Sequence, residues 1–179
     1  MLDRFKHAGA AILAVTIAAP ALPAHANAAP VLIDQRGERF TFSTFAGTPL
    51  LVTFVAAHCT DACPLVNAQF SAAAHRFARE HRKVHLLTIT LDPEHDPPAV
   101  MRALAGTFSA DPSIWTLASG SVTDVHRVMR GFGVVAQRGR KGYADVHTTF
   151  VYLVDARGML RKTILASSNL GAQLVALVR

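Results

Sequence analysis

Cysteine is nearly missing from this chain of 179 residues: Cys59 and Cys63 are the only two. That scarcity excludes a small scaffold stapled by several disulfides. Long hydrophobic runs are missing as well. The most apolar stretch, Ala8 to Leu22, is rich in alanine and broken by Pro20, and it falls short of the roughly 20 apolar residues that span a hydrocarbon core. Acidic residues are in the minority, 12 against 18 Lys and Arg, for a formal charge of +6. The basic residues are dispersed and do not alternate with aromatics as single-strand binders require, which argues against a nucleic acid partner. Two clusters, Arg76, Arg79, Arg82 and Lys83, and Arg138, Arg140 and Lys141, read as solvated surface. No internal repeat or low-complexity segment follows the first 26 residues.

Those first residues have the pattern of a secretory leader. Arg4 and Lys6 give a basic start, the apolar stretch follows, and Ala24-His25-Ala26 supplies the small-x-small pattern that signal peptidase reads. Residues 1–26 are expected to be a cleavable signal peptide. Cleavage after Ala26 leaves residues 27–179, and the loss of Arg4, Lys6 and Asp3 brings the formal charge to about +5. The mature chain fits one domain with a substantial core. A periplasmic location of the bacterial type follows, with no stable membrane insertion after cleavage. Outside the cytosol thiols tend to oxidise, so a working dithiol there needs a reducing partner or a bound metal.

Hydrophobic period and turn signals order the mature chain. Val31 to Phe42 carries two short strand-like runs around Asp34-Gln-Arg-Gly37, a hairpin pattern. Leu50 to Val55 is a continuous apolar and β-branched run of the kind buried on both faces of a parallel sheet. Pro64 suits a first helical turn, and Val66, Phe70, Ala73, Ala74 and Phe77 recur on one face of a helix ending near His81. Val84 to Leu91 is a second buried strand, Asp96-Pro97-Pro98 opens a helix to about Phe108, and Ile114 to Leu117 is a short strand. Ser121 or Thr123 caps a helix through Phe132 with Val125, Val128 and Met129 inward. A polar loop over Gln137 to Asp145 delivers His147 to a strand over Thr149 to Val154; Asp155 to Gly158 turns into Met159 to Leu165, and a helix over Leu170 to Val178 closes the chain. This order predicts an α/β thioredoxin-like sandwich, a central mixed sheet flanked by helices with an N-terminal β-hairpin.

The two thiols fall between the first buried strand and the helix after it. A crosslink closing so small a ring adds little loop-closure stability, so a metal or redox role explains the pair better than a staple does. The unpaired N–H groups and the positive dipole end at a helix N-terminus favour a thiolate there. Thiolates are nucleophiles and also soft ligands; in an exported protein they select Cu(I) or Zn(II), and an added imidazole suits both as well as Cu(II).

Phe54-Val-Ala-Ala-His-Cys-Thr-Asp-Ala-Cys-Pro64, Thr90-Leu-Asp-Pro-Glu-His-Asp96 and Val146-His-Thr-Thr-Phe-Val-Tyr-Leu-Val-Asp155 together resemble the Sco/SenC family of copper-binding cytochrome c oxidase assembly proteins, over nearly the whole mature chain. The resemblance implies a thioredoxin-like fold that binds one copper ion, Cu(I) or Cu(II), through Cys59, Cys63 and His147. It implies as partners the copper A subunit of cytochrome c oxidase or another exported cuproprotein, and a periplasmic copper donor or thiol reductant. Two features depart from the family pattern: most members are tethered by an amino-terminal membrane helix whereas this leader reads as cleavable, and Val146 separates the acidic Asp145 from His147.

The alternative function uses the same thiols as a redox-active catalytic pair. A thiol-disulfide reductase would attack through Cys59 and resolve through Cys63. His147 separates the two classes: oxidoreductases of this fold commonly place a proline opposite the dithiol, and no proline occurs from Lys141 to Arg161. A copper carrier is therefore the leading expectation, with enzymatic activity as the second. A peroxiredoxin is disfavoured because its threonine and arginine pattern is missing around Cys59. Of the remaining residues, His58 is expected to point to solvent, and Asp61 either to order the dithiol loop or to contact a partner. Asp92 to Asp96 reads equally as a turn or as support at a strand's carboxyl edge. His75, His81, His85, His95, His126 and the scattered methionines show no metal-site spacing.

Overall fold

A computed structural model describes residues 28–60, 62–139, 142–145 and 149–178 of the protein. The leader expected over residues 1–26 lies outside them.

Seven strands form one mixed sheet because the apolar runs have the length and β-branched content of strands buried on both faces. In chain order the strands are β1 (Leu32–Asp34), β2 (Arg39–Phe40), β3 (Leu50–Val55), β4 (His85–Thr90), β5 (Trp115–Gly120), β6 (Gln137–Arg138), β7 (Ala144–Asp145), β8 (Phe150–Val154) and β9 (Leu160–Leu165). All but β6 and β7 join the main sheet, in the order β2-β1-β5-β4-β3-β8-β9. Strands β3, β4 and β5 run parallel; β1 with β2 at one end and β8 with β9 at the other are antiparallel. Every residue of β3 and β4 is buried. The hairpin turns before β2 and β9 use Gly37 (φ 92°) and Gly158 (φ 81°), a backbone region that other residues enter at a cost.

Side-chain alternation divides the strands between two cores. Leu51, Val55, Leu86, Trp115, Leu117 and Val151 face helices α1 (Ala62–Arg79), α2 (Pro98–Thr107) and α4 (Leu170–Leu177). Leu50, Val52, Phe54, Leu87, Ile89, Tyr152 and Val154 face α3 (Val122–Gly131). The face anticipated for α1, namely Val66, Phe70, Ala73, Ala74 and Phe77, is buried as a unit. Burial of Phe70 and Phe77, each with no exposed surface, contributes about 1.5–3 kcal/mol apiece. Ser121 caps α3, accepting from the Asp124 amide at 3.0 Å. This is the α/β sandwich with an N-terminal hairpin that the sequence predicts.

One expectation is corrected. Gln137 to Asp145 is not a plain loop: β6 and β7 pair antiparallel as a separate two-stranded ribbon. Strands of two residues carry too little alternation to be read from hydrophobic period.

The register brings three chain ends to one edge of the sheet. Val55 of β3 pairs with Thr90 of β4, Leu91 N donates to Val55 O at 2.7 Å, and Thr53 of β3 lies opposite Val151 near the start of β8. The dithiol loop, the turn after β4 and the start of β8 therefore share this edge. Among the described residues no helix is long and apolar enough to cross a membrane.

Candidate functional site

The dithiol loop begins as β3 ends. A turn follows at once, closed by the Cys59 N–H donating to Ala56 O at 3.1 Å. Helix α1 then starts at Ala62, with Cys63 as its second residue and Pro64, which has no amide to leave unpaired, as its third. Cys63 is buried, with 7% of its surface exposed, whereas Cys59 is half-buried at the rim of the same core. The arrangement sets one cysteine, half-buried, in the turn before α1 and the other in its first turn, where anionic sulfur is favoured.

Some of the expected residues cannot be compared with the geometry: Asp61, His147 and the cationic pair Arg140 and Lys141 lie outside the described residues. The flanking positions are described. Thr149 is buried, its carbonyl accepts from Ala166 N at 2.9 Å, and Thr53 Oγ1 donates to Phe150 O at 2.9 Å, so the start of β8 is pinned to β3 beside the dithiol loop.

The turn after β4 supports this edge rather than merely reversing the chain. Asp96, 2% exposed, accepts the Ala57 amide at 2.9 Å and the Thr90 hydroxyl at 2.7 Å, both on Oδ2. Asp92, 1% exposed, accepts the Ala144 amide at 2.8 Å and the His95 Nδ1–H at 2.9 Å, again on one oxygen. Burial alone would raise the Asp92 carboxyl; the Ala144 amide, the His95 ring and Arg138 more than offset it and hold it below the usual carboxylate range. Ser119 Oγ adds a bond to Asp96 O at 2.6 Å. The turn thus ties the dithiol loop to the ribbon that precedes residue 147.

Rings bridge the same two segments. Tyr143 lies against His58, with centroids 4.2 Å apart, and against His95 at 4.6 Å. His58 therefore does not point to solvent as expected: its ring is half-buried on Tyr143, and its Nδ1 is buried without a hydrogen bond among the described residues. Its neighbour across 85 positions is invisible to a reading of local pattern. His95 likewise gains a role that spacing did not suggest. Asp92, Glu94 and His95 bring one ligand atom each within 4.8 Å of one another. Asp92 pairs with His95 and accepts the Ala144 amide, and Glu94 pairs with Arg138. The Arg76 and Arg82 guanidiniums pair with Glu80 at 2.7 and 3.0 Å, as expected for solvated surface.

The SCO1/SenC family model matches residues 19–178. The chain belongs to the SCO1/SenC family. A Bacillus subtilis (strain 168) relative, "SCO1 protein homolog", is 21% identical over 131 residues, 72% of this chain and 68% of the relative. The crystal structure of a SCO1/SenC family lipoprotein from Bacillus anthracis superposes with a TM-score of 0.74 at 23% identity, covering 83% of this chain and 89% of that one. Bradyrhizobium japonicum ScoI, solved with copper bound, gives a TM-score of 0.70 at 27% identity, covering 83% and 96%. The sandwich described above is thus the fold of SCO1/SenC proteins. In this SCO1/SenC chain, the donor set fits a soft metal ion on its own chemistry: one thiol in the first turn of α1 and a second, half-buried, in the turn before it, with the Ala57 amide held by Asp96.

Proposed function

We propose that this SCO1/SenC protein is a periplasmic copper metallochaperone that binds one copper ion through Cys59, Cys63 and His147 and delivers it to the copper A site of cytochrome c oxidase. The observation that carries the reading is the dithiol itself, with Cys63 buried in the first turn of α1 and Cys59 half-buried in the turn before it. A cargo ion needs ligands soft enough to hold Cu(I) and open enough to release it, and a half-exposed sulfur supplies the route out. The start of β8, pinned to β3, supports His147 as the third ligand. The copper-bound ScoI relative supports copper as the cargo. Residues 1–26 serve as a signal peptide, and sequencing the mature amino terminus tests that: a start at Asn27 is expected, and membrane-bound protein beginning at Met1 contradicts it.

Anaerobic titration of the reduced mature protein with Cu(I) tests the carrier. One ion per monomer is expected, with tight binding lost in Cys59→Ser, Cys63→Ser and His147→Ala; undiminished binding in any of the three contradicts the ligand set.

A second reading draws on the unequal exposure of the two thiols. As a thiol-disulfide reductase, Cys59 thiolate attacks a partner disulfide and releases one partner thiolate. Cys63 then attacks the Cys59 sulfur and releases the second. The partner gains two electrons, and this protein ends as the Cys59–Cys63 disulfide. A Cys63→Ser variant should trap the mixed disulfide; failure to trap any counts against this activity.

A further inference from the structure

Two buried aspartates stand behind the proposed copper centre without being among its ligands. Their hydrogen bonds form one chain: the Ala57 amide to Asp96, the Thr90 hydroxyl to Asp96, the Asp92 amide to Thr90 Oγ1 at 2.9 Å, and the Ala144 amide to Asp92. It begins two residues before Cys59 and ends three residues before His147. The bonds to Ala57 and Ala144 span 39 and 52 positions respectively, so neither serves the local turn. The Tyr143 ring, packed on both His58 and His95, holds the same two segments together a second time.

The Asp92 carboxylate is used unevenly. Oδ2 accepts two hydrogen bonds while Oδ1 is buried with none among the described residues. A buried acceptor without a partner is costly and calls for an explanation other than stability. Fixing the ribbon supplies one: the carboxylate is oriented by His95 so that the other lone pair of Oδ2 meets the Ala144 amide. Partners that orient the ligands of a metal, without touching it, commonly govern affinity.

We propose that Asp92 is a positioning residue of the copper centre, holding β7 against the turn after β4 and so fixing Ala144, three residues before His147, relative to the dithiol loop. The inference rests on the copper reading above and adds to it a residue that does not touch the metal.

The test is Cu(II) binding to the full mature chain, read as affinity and as the thiolate-to-copper charge-transfer spectrum, for wild type, Asp92→Ala and Asp92→Asn. Asp92→Ala should bind about 10–100-fold more weakly with an altered band. Asp92→Asn keeps an oxygen for the Ala144 amide and should recover both affinity and band. Exchange of the Ala144 amide in the metal-free protein should speed up in Asp92→Ala and not in Asp92→Asn. If Asp92→Ala is too unstable to purify, Ala144→Pro removes the donor with the carboxylate in place and should weaken and shift copper binding in the same way. Wild-type binding together with unchanged affinity and spectrum in the variant that removes the bond overturns the positioning role alone. Wild-type protein that takes up no copper overturns the reading of the site, and the inference with it.

Discussion

Asp96 Oδ2 accepts the backbone N–H of Ala57 at 2.9 Å, joining the turn after β4 to the loop that carries Cys59 across 39 positions of sequence. Asp96→Ala removes the acceptor for Ala57 and for Thr90 Oγ1, leaving two donors in a closed environment. The expected loss is about 2–4 kcal/mol from unsatisfied buried groups, measured by urea unfolding. Asp96→Asn, which retains an oxygen, should lose less than half of that. Equal losses would mean that the charge rather than the bond matters.

His85 sets an acid limit on stability. It is buried, packs on Phe45 with centroids 4.7 Å apart and shares a 2.8 Å hydrogen bond with Thr116 Oγ1. Burial pushes it down to about 4 from its ordinary 6.5, against a smaller raising effect from the backbone at Ser113. Because the unfolded chain takes up this proton first, the contribution is fully present above pH 6.5 and is lost as pH falls from 6.5 towards 4. At one proton, the loss across that window is about 3 kcal/mol. Denaturation as a function of pH should show it, and His85→Gln should flatten the slope between those values. An unchanged slope in the variant would place the acid sensitivity elsewhere. Asp34 and Asp92, both held below the usual carboxylate range, lose their contributions only at lower pH.

How far the sequence discloses this protein depends on the range of the interaction. Leu50–Val55 and the α1 face from Val66 to Phe77 are legible because burial there is written in periods of neighbouring residues. The β6–β7 ribbon is not, since each strand has two residues and its pairing partner is across a turn. The dithiol stands out by its scarcity. Asp92 and Asp96 are visible as a Pro-flanked pair one helical turn apart beyond a buried strand, yet turn chemistry explains such a pair as well as support does; only the amides of Ala57 and Ala144 decide the matter. The packing of His58 on Tyr143 leaves no local trace at all.

The unequal burial of the thiols predicts unequal access. In the reduced protein Cys59, half-exposed, should be alkylated at least about tenfold faster than Cys63. Mass mapping of a timed iodoacetamide reaction measures the ratio. Comparable rates would contradict the assignment of Cys59 as the outer sulfur.

The core beneath the site should respond in proportion to packing. Phe70 is wholly buried, with its ring centroid 6.0 Å from that of Trp115, and Phe70→Ala should cost about 3–5 kcal/mol through the cavity it leaves. Leu65, on the same helix but 52% exposed, should change stability by no more than about 0.5 kcal/mol on replacement by Ala. Equilibrium unfolding compares the two. A small loss for Phe70→Ala would mean that α1 packs differently from the arrangement described.

The central claim is that this dithiol is two thirds of a copper site completed by an imidazole. The optical spectrum of the oxidised, Cu(II)-loaded protein, compared with that of His147→Ala, tests it most directly. One copper per chain with a thiolate-to-Cu(II) charge-transfer band, shifted in energy and bound more weakly in His147→Ala, is the predicted result. An unchanged band at unchanged affinity in His147→Ala would contradict it.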